Sequence, residues 1–201
     1  MNTEVIRIDP ENIELDKIEQ AAQVIKRGGI VGFPTETVYG LAADFFNQQA
    51  VERIFTIKKR PADKYLTVQI SDIAYLEKLN CQVPDYAYKL ISKFWPGPLT
   101  LVLKRAEETL GLRIPDNQIA QSLIKQSSTC IVAPSANLSG EPPAQTAEEV
   151  VRVFNGLIEM LIDAGKTALG IASTVLDLTV SPYRILRKGA ISQEQIEGLL
   201  R

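Results

Sequence analysis

Leu15, Ile18, Ala22 and Ile25 recur at a helical spacing, which predicts an amphipathic helix over residues 13–27, with Lys26 and Arg27 at its negative end and Gly28 as its stop. A short strand over 5–8 precedes it. A buried strand through Ile30, Val31 and Phe33 follows, and Pro34 breaks it into a polar loop. Ala50, Val51, Ile54, Phe55 and Ile57 predict a second helix over 48–59, which Pro61 is expected to terminate. Residues 66–70 read as a strand, and Ser71 as the cap of a short helix running through Leu79. A further helix opens at Pro84, carries Tyr86, Leu90, Ile91 and Phe94, and stops at Trp95-Pro96-Gly97-Pro98.

The second half continues in the same manner. Strands are predicted over 99–104 and 110–114, then a helix after Asn117 through Ile119, Ser122 and Leu123, then a buried strand over 130–133. Thr146 opens a helix with Glu148 and Glu149 in its first turn and Val150, Val151 and Phe154 on its apolar face. Strands over 160–163, 174–178 and 183–186 precede a closing helix opened by Ser192 and Glu194. Strands and helices alternate without a strict βαβ repeat, so the expected fold class is α/β, a twisted mixed sheet with helices over its faces. A length of 201 residues suits one core, and residues 1–201 are expected to form a single domain.

Charge changes little, since 22 basic and 24 acidic residues give a net of −2: this excludes a generally basic nucleic-acid coat but leaves room for a local basic groove. The absence of any His changes more. It removes a Ser-His-Asp triad, a His-based zinc site and imidazole acid–base chemistry, leaving Lys, Arg, hydroxyls and carboxylates. Cys81 and Cys130 have no partner at metal or redox spacing and read as small core or surface residues. With no basic-then-apolar leader and no eighteen-residue apolar run, the expectation is a soluble cytoplasmic protein without a membrane partner.

Two strands end alike, at Pro followed by hydroxyls: the first at Pro34-Thr-Glu-Thr, the other at Ala133-Pro-Ser-Ala-Asn. In open α/β sheets ligands settle beyond strand carboxyl ends, so these loops are candidate sites as well as polar turns. Lys58, Arg60 and Lys64 cluster around a helix end, where they either complement the helix dipole or hold phosphate oxygens. Arg187 ends another strand. Together with the hydroxyls of Thr35, Thr37, Ser135, Ser139, Ser173 and Thr174, these cations specify an anionic ligand and a small polar one. Glu36 fits a ligand carboxylate, an Mg²⁺ contact or a capping group equally well. Neither a dinucleotide-binding glycine fingerprint nor a P-loop occurs, so a nucleotide would be held in another way.

Pro34-Thr-Glu-Thr-Val-Tyr-Gly-Leu41, Lys58-Lys-Arg-Pro-Ala-Asp63, Trp95-Pro-Gly-Pro-Leu-Thr100, Ala133-Pro-Ser-Ala-Asn-Leu-Ser-Gly140 and Ser173-Thr174 closely resemble the motifs of the YrdC/TsaC family of threonylcarbamoyl-AMP synthases. The resemblance runs from about Ile6 to Gly189. It implies a YrdC-type fold around a large concave, positively charged cavity, in which L-threonine, bicarbonate and ATP give threonylcarbamoyl-AMP and pyrophosphate for the threonylcarbamoyladenosine modification of tRNA.

Carried over by position, it implies threonine contacts at Thr37, Arg113, Ala133 and Ser173. It implies nucleotide contacts at Lys58, Arg60, Lys64, Thr109, Ser135, Asn137, Pro143 and Arg187. Lys58 and Arg60 are the expected catalytic pair, with Mg²⁺ accompanying ATP and unassigned ligands. A downstream tRNA threonylcarbamoyl transferase complex would accept the product, and tRNA or double-stranded RNA are candidate partners. An RNA-binding or ribosome-assembly role for the basic cavity is the alternative. A carbamoyl-transfer relative ranks last, since that version comes with zinc-binding cysteines. Lys64-Tyr65 stand where many members have Asn-Pro, and Gln69 where some have His. The chain is expected to be a short form, without the extra C-terminal domain of longer relatives.

Overall fold

The protein, described by a computed structural model, is defined over residues 2–61 and 66–200. Lys64 therefore lies outside the described residues. In chain order the elements are β1 (Glu4–Arg7), α1 (Leu15–Lys26), β2 (Val31–Phe33), β3 (Gly40–Asp44), α2 (Gln48–Ile57), β4 (Thr67–Gln69), α3 (Tyr75–Lys78), β5 (Cys81–Gln82) and α4 (Ala87–Phe94). They continue as β6 (Leu99–Arg105), β7 (Glu108–Arg113), α5 (Gln118–Ser127), β8 (Ile131–Val132), α6 (Ala147–Phe154), β9 (Met160–Asp163), β10 (Thr174–Asp177), β11 (Arg184–Arg187) and α7 (Gln193–Leu200).

The strands form one mixed sheet in the order β1-β9-β2-β3-β8-β4-β7-β6-β10-β11, with β5 pairing on β6. The expected twisted mixed sheet with helices on its faces is thus what the chain forms. One face is covered along its length by a core that includes Ile54, Val68, Leu90, Leu101, Leu112, Phe154 and Ile196, from α2, α4, α6, α7 and the strands. The other face is covered over only part of the sheet. There Ile18, Ala22 and Ile25 of α1 and Ile119 and Leu123 of α5 pack on Val31, Phe33, Ala42 and Ile131.

Beyond that helix pair the second face of β4, β7 and β6 is polar. Gln69 pairs with both Ile131 and Arg113, so its side chain shares the α1/α5 face with theirs. Thr67 shares it by the two-residue strand period, and Thr100, one step beyond the Leu101–Leu112 pair, lies opposite Arg113. The intervening Val68, Leu101 and Leu112 point into the apolar core. Strand alternation therefore turns a polar floor outward where helical cover ends.

Several boundaries depart from the sequence expectation. Leu15 is 59% exposed and Ala21 takes its place on the buried face, so Leu15 forfeits most of the ~1.5–3 kcal/mol that a buried Leu contributes. α2 ends at Ile57, before Pro61 can act, and Lys59 turns the chain in the left-handed region at φ 49°. Ser71 caps nothing: the turn ahead of α3 is held by Asp72, whose side chain accepts from Ala74 N at 2.7 Å. Thr109 lies inside β7, paired with Lys104, rather than before the strand. β3 and β5 were not expected at all.

Gly189 follows β11 and runs against the backbone at Ser173, just ahead of β10. A Cβ there would sit 2.5 Å from Ser173 C and from Thr174 N, both backbone atoms with no freedom to give way. Gly189→Ala is expected to lower stability by roughly 1–3 kcal/mol through overpacking. Denaturant unfolding checks this, and an unchanged midpoint would contradict the close approach.

Candidate active site

The two Pro-terminated loops meet. Leu41 N donates to Pro134 O at 2.9 Å and Ala136 N donates to Tyr39 O at 2.7 Å, zipping the segment after β2 to the segment after β8. Over the polar floor they enclose a hollow of about 530 Å³, its open mouth included. Thr37, Arg60, Arg113, Ala133, Ser135, Ser173 and Arg187, far apart in sequence, all line it.

Arg113 is the buried anchor. Its Nη2 lies 2.7 Å from Glu36 Oε1 and donates to Thr37 Oγ1 at 3.0 Å, while Nε donates to Gly97 O at 3.0 Å. Glu36 is therefore the counter-charge of Arg113, an ion pair at 6% and 10% side-chain exposure. Of the three roles open to it in the sequence, none was this one. The neighbouring hydroxyls are ordered by donor count. Thr35 Oγ1 donates to Val38 O at 2.7 Å, so the 2.8 Å contact with Thr37 Oγ1 must have Thr37 as donor. Thr37 also accepts from Arg113, which leaves it one free lone pair and no free proton. It can only accept from a ligand.

Arg187 donates from Nε to Ser173 O at 2.9 Å and from Nη2 to Ser173 Oγ at 2.8 Å. Desolvation first, and then the positive charges of Arg113 and Arg60, pull its pKa down. Three guanidinium groups thus share one hollow, and the cost of crowding them falls when an anion enters. Gln69 lines the same hollow at 3% exposure, and its Oε1 has no hydrogen-bond partner among the described residues. The sequence singled out Gln69 only as a departure, and it gave Thr67 and Thr100 no contact at the site. Their alternation with Val68, Leu101 and Leu112 was the available signal.

Four of the expected contacts are placed elsewhere. Lys58 is 1% exposed and does not line the hollow: its Nζ donates to Ser135 O and Asn137 O, both at 2.5 Å, while Ser139 N donates to Lys58 O at 3.0 Å. The ammonium binds the 135–139 loop from behind, because the first residue after α2 points into the fold rather than outward. Burial, with Arg60 nearby, pushes its pKa down to about 8. Asn137 and Pro143 line a neighbouring groove with Leu138, Gln145 and Arg152. Thr109 stands at the opposite end of β7 from Arg113, about 13 Å along the strand at ~3.3 Å per residue. Among the described residues no group of three His, Cys, Asp or Glu could hold a metal, and the one carboxylate at the site is held by Arg113. Among the described residues, then, no cluster of carboxylates stands ready for Mg²⁺. No helix among them is long and apolar enough to cross a membrane.

The Sua5/YciO/YrdC family profile, described as "Telomere recombination", matches residues 23–189. The chain belongs to the Sua5/YciO/YrdC family. It is 45% identical over 200 residues to threonylcarbamoyl-AMP synthase of Pyrococcus abyssi, covering 94% of this chain and 59% of that relative. It is 42% identical over 195 residues to threonylcarbamoyl-AMP synthase of Bacillus subtilis, covering 92% and 56%. The chain thus spans somewhat over half the length of these relatives. Among solved structures, P. abyssi Sua5 complexed with L-threonine superposes with a TM-score of 0.95 at 44% identity, covering 98% of this chain and 61% of that one. Escherichia coli YciO superposes with a TM-score of 0.87 at 26% identity, covering 96% and 99%. The family expected from the five motifs is the one found, and the fold of this family member agrees with both structures.

Proposed function

We propose that the chain is an L-threonylcarbamoyladenylate synthase, a nucleotidyltransferase acting on L-threonine, bicarbonate and ATP in the cytoplasm. The observation that carries this reading is the convergence of Arg60, Arg113 and Arg187 with the Thr37 and Ser173 hydroxyls in one hollow. Support comes from the names of its relatives and from the L-threonine bound to P. abyssi Sua5. A small zwitterion and a polyanion are what such a lining would take together.

The amine of threonine and bicarbonate condense to a carbamate with loss of water. A carbamate oxygen then attacks the α-phosphorus of ATP, the bond to the β-phosphate breaks, and pyrophosphate leaves. No covalent bond to the protein is formed, so the protein supplies position and positive charge. In this reading Thr37 and Ser173 hold the amino acid over Ala133, while Arg60 and Arg187 face the phosphates. Lys58 supports Ser135 from behind instead of touching the nucleotide. Mg²⁺ would come with the triphosphate, liganded by phosphate oxygens and water. The product is then passed to a tRNA-modifying transferase.

Arg60→Ala tests the assignment. Losing one charge-assisted bond, on the order of 1.5–3 kcal/mol, should lower threonine-dependent pyrophosphate release roughly 10- to 100-fold in a protein that still folds. Release at the wild-type rate would remove Arg60 from the phosphate site.

A further inference from the structure

Thr100 closes the Trp95–Thr100 motif without an assigned contact, yet its hydroxyl is buried at 1% exposure beneath the hollow and lies 2.8 Å from Ser173 Oγ. We infer that Thr100 is a positioning residue which fixes the direction of the Ser173 hydroxyl, keeping that proton for an acceptor oxygen of the ligand. Counting protons sets the direction of this contact. A guanidinium only donates, so Ser173 Oγ accepts from Arg187 Nη2. Thr100 Oγ1 makes no other side-chain hydrogen bond among the described residues. Were Ser173 to donate to Thr100, the Thr100 proton would be buried with no acceptor, a desolvation cost that the reverse direction avoids. Thr100 therefore donates. Both lone pairs of Ser173 are then filled, by Thr100 and by Arg187, and its one remaining capacity is a proton aimed into the hollow it lines.

Ser173 and Thr37 consequently have opposite capacities: one only donates to a ligand and the other only accepts. A molecule with an anionic oxygen at one end and an N–H or O–H at the other satisfies both, and an α-amino acid lying with its carboxylate toward Ser173 does so. The identity of that amino acid as threonine rests on the proposed function; the direction of the hydroxyls does not.

Neutron diffraction from a deuterated crystal reads the direction without a ligand. The deuteron on Thr100 Oγ1 should lie toward Ser173, and a deuteron on Ser173 aimed at Thr100 overturns the inference. Calorimetry with L-threonine reads its consequence. Thr100→Val should weaken threonine binding roughly 10-fold or more while leaving ATP binding unchanged, and Thr100→Ser, which keeps the donor, should bind within about 3-fold of wild type. In a Ser173→Ala background, Thr100→Val should have no further effect, since its influence passes through Ser173. Wild-type threonine affinity in Thr100→Val, or equal losses in the Val and Ser variants, overturns the inference. Failure of wild type to bind threonine sinks the proposed function instead, and the neutron result still decides this one.

Discussion

Arg113→Met should cost the fold about 3–5 kcal/mol, because it leaves the Glu36 carboxylate buried without its counter-charge. For a domain of this size that is a melting-temperature drop of roughly 6–20 °C. It also deprives Thr37 Oγ1 and Gly97 O of their donor, so both the acceptor end of the hollow and the turn after α4 lose their tether. Adding Glu36→Gln should restore a large part of the stability, since the stranded charge is gone, while threonine-dependent activity stays lost. Thermal unfolding of the two single variants and the double variant checks this. Additive losses would contradict the ion pair's place in the account.

Lys58→Met should produce the second large effect, by a different route. It removes both charge-assisted bonds to Ser135 O and Asn137 O, on the order of 1.5–3 kcal/mol each, partly offset because no charge need then be buried. The loop bearing Ser135 loses its support, so the KM for ATP should rise at least roughly 10-fold even though Lys58 itself does not line the hollow. The pH dependence carries a sign that separates this role from a direct phosphate contact.

The folded pKa of Lys58 is about 8, below the 10.5 of the ordinary side chain. As pH rises through 8 the native ammonium loses its proton and the loop is released, so activity falls. From 8 to 10.5 the unfolded chain holds more protons than the native one, so this group makes the native state progressively more stable as pH rises. Wild type should therefore gain stability relative to Lys58→Met across that window while its activity falls. Parallel stability curves for the two proteins would contradict the buried position.

Much of this was legible in the residues. The helical faces of α1, α5 and α6 follow from periodicity, and the two Pro-terminated strands do end at the hollow. Arg60, Thr37, Ala133, Ser135, Ser173 and Arg187 meet there as expected. What escaped has physical reasons. β3 reads Gly-Leu-Ala-Ala-Asp, five residues whose small side chains lack the β-branched signature, because strands and helices crowd it from both faces. Lys58 looked like its neighbour Arg60, since sequence places both at a helix end but not on which side the chain turns. That turn is set at Lys59. Glu36 and Thr100 act through residues remote in sequence, Arg113 and Ser173, and only the sheet register brings them together.

The central claim is that one hollow joins an amino acid to a nucleotide through cationic and hydroxyl groups. Its most direct measurement is incubation of the purified protein with labelled bicarbonate, ATP and each proteinogenic amino acid in turn, following pyrophosphate and label carried into an adenylate. Both signals should appear with L-threonine, and both should be lost in Arg60→Ala. Pyrophosphate release indifferent to the amino acid supplied, or none with L-threonine, would contradict it.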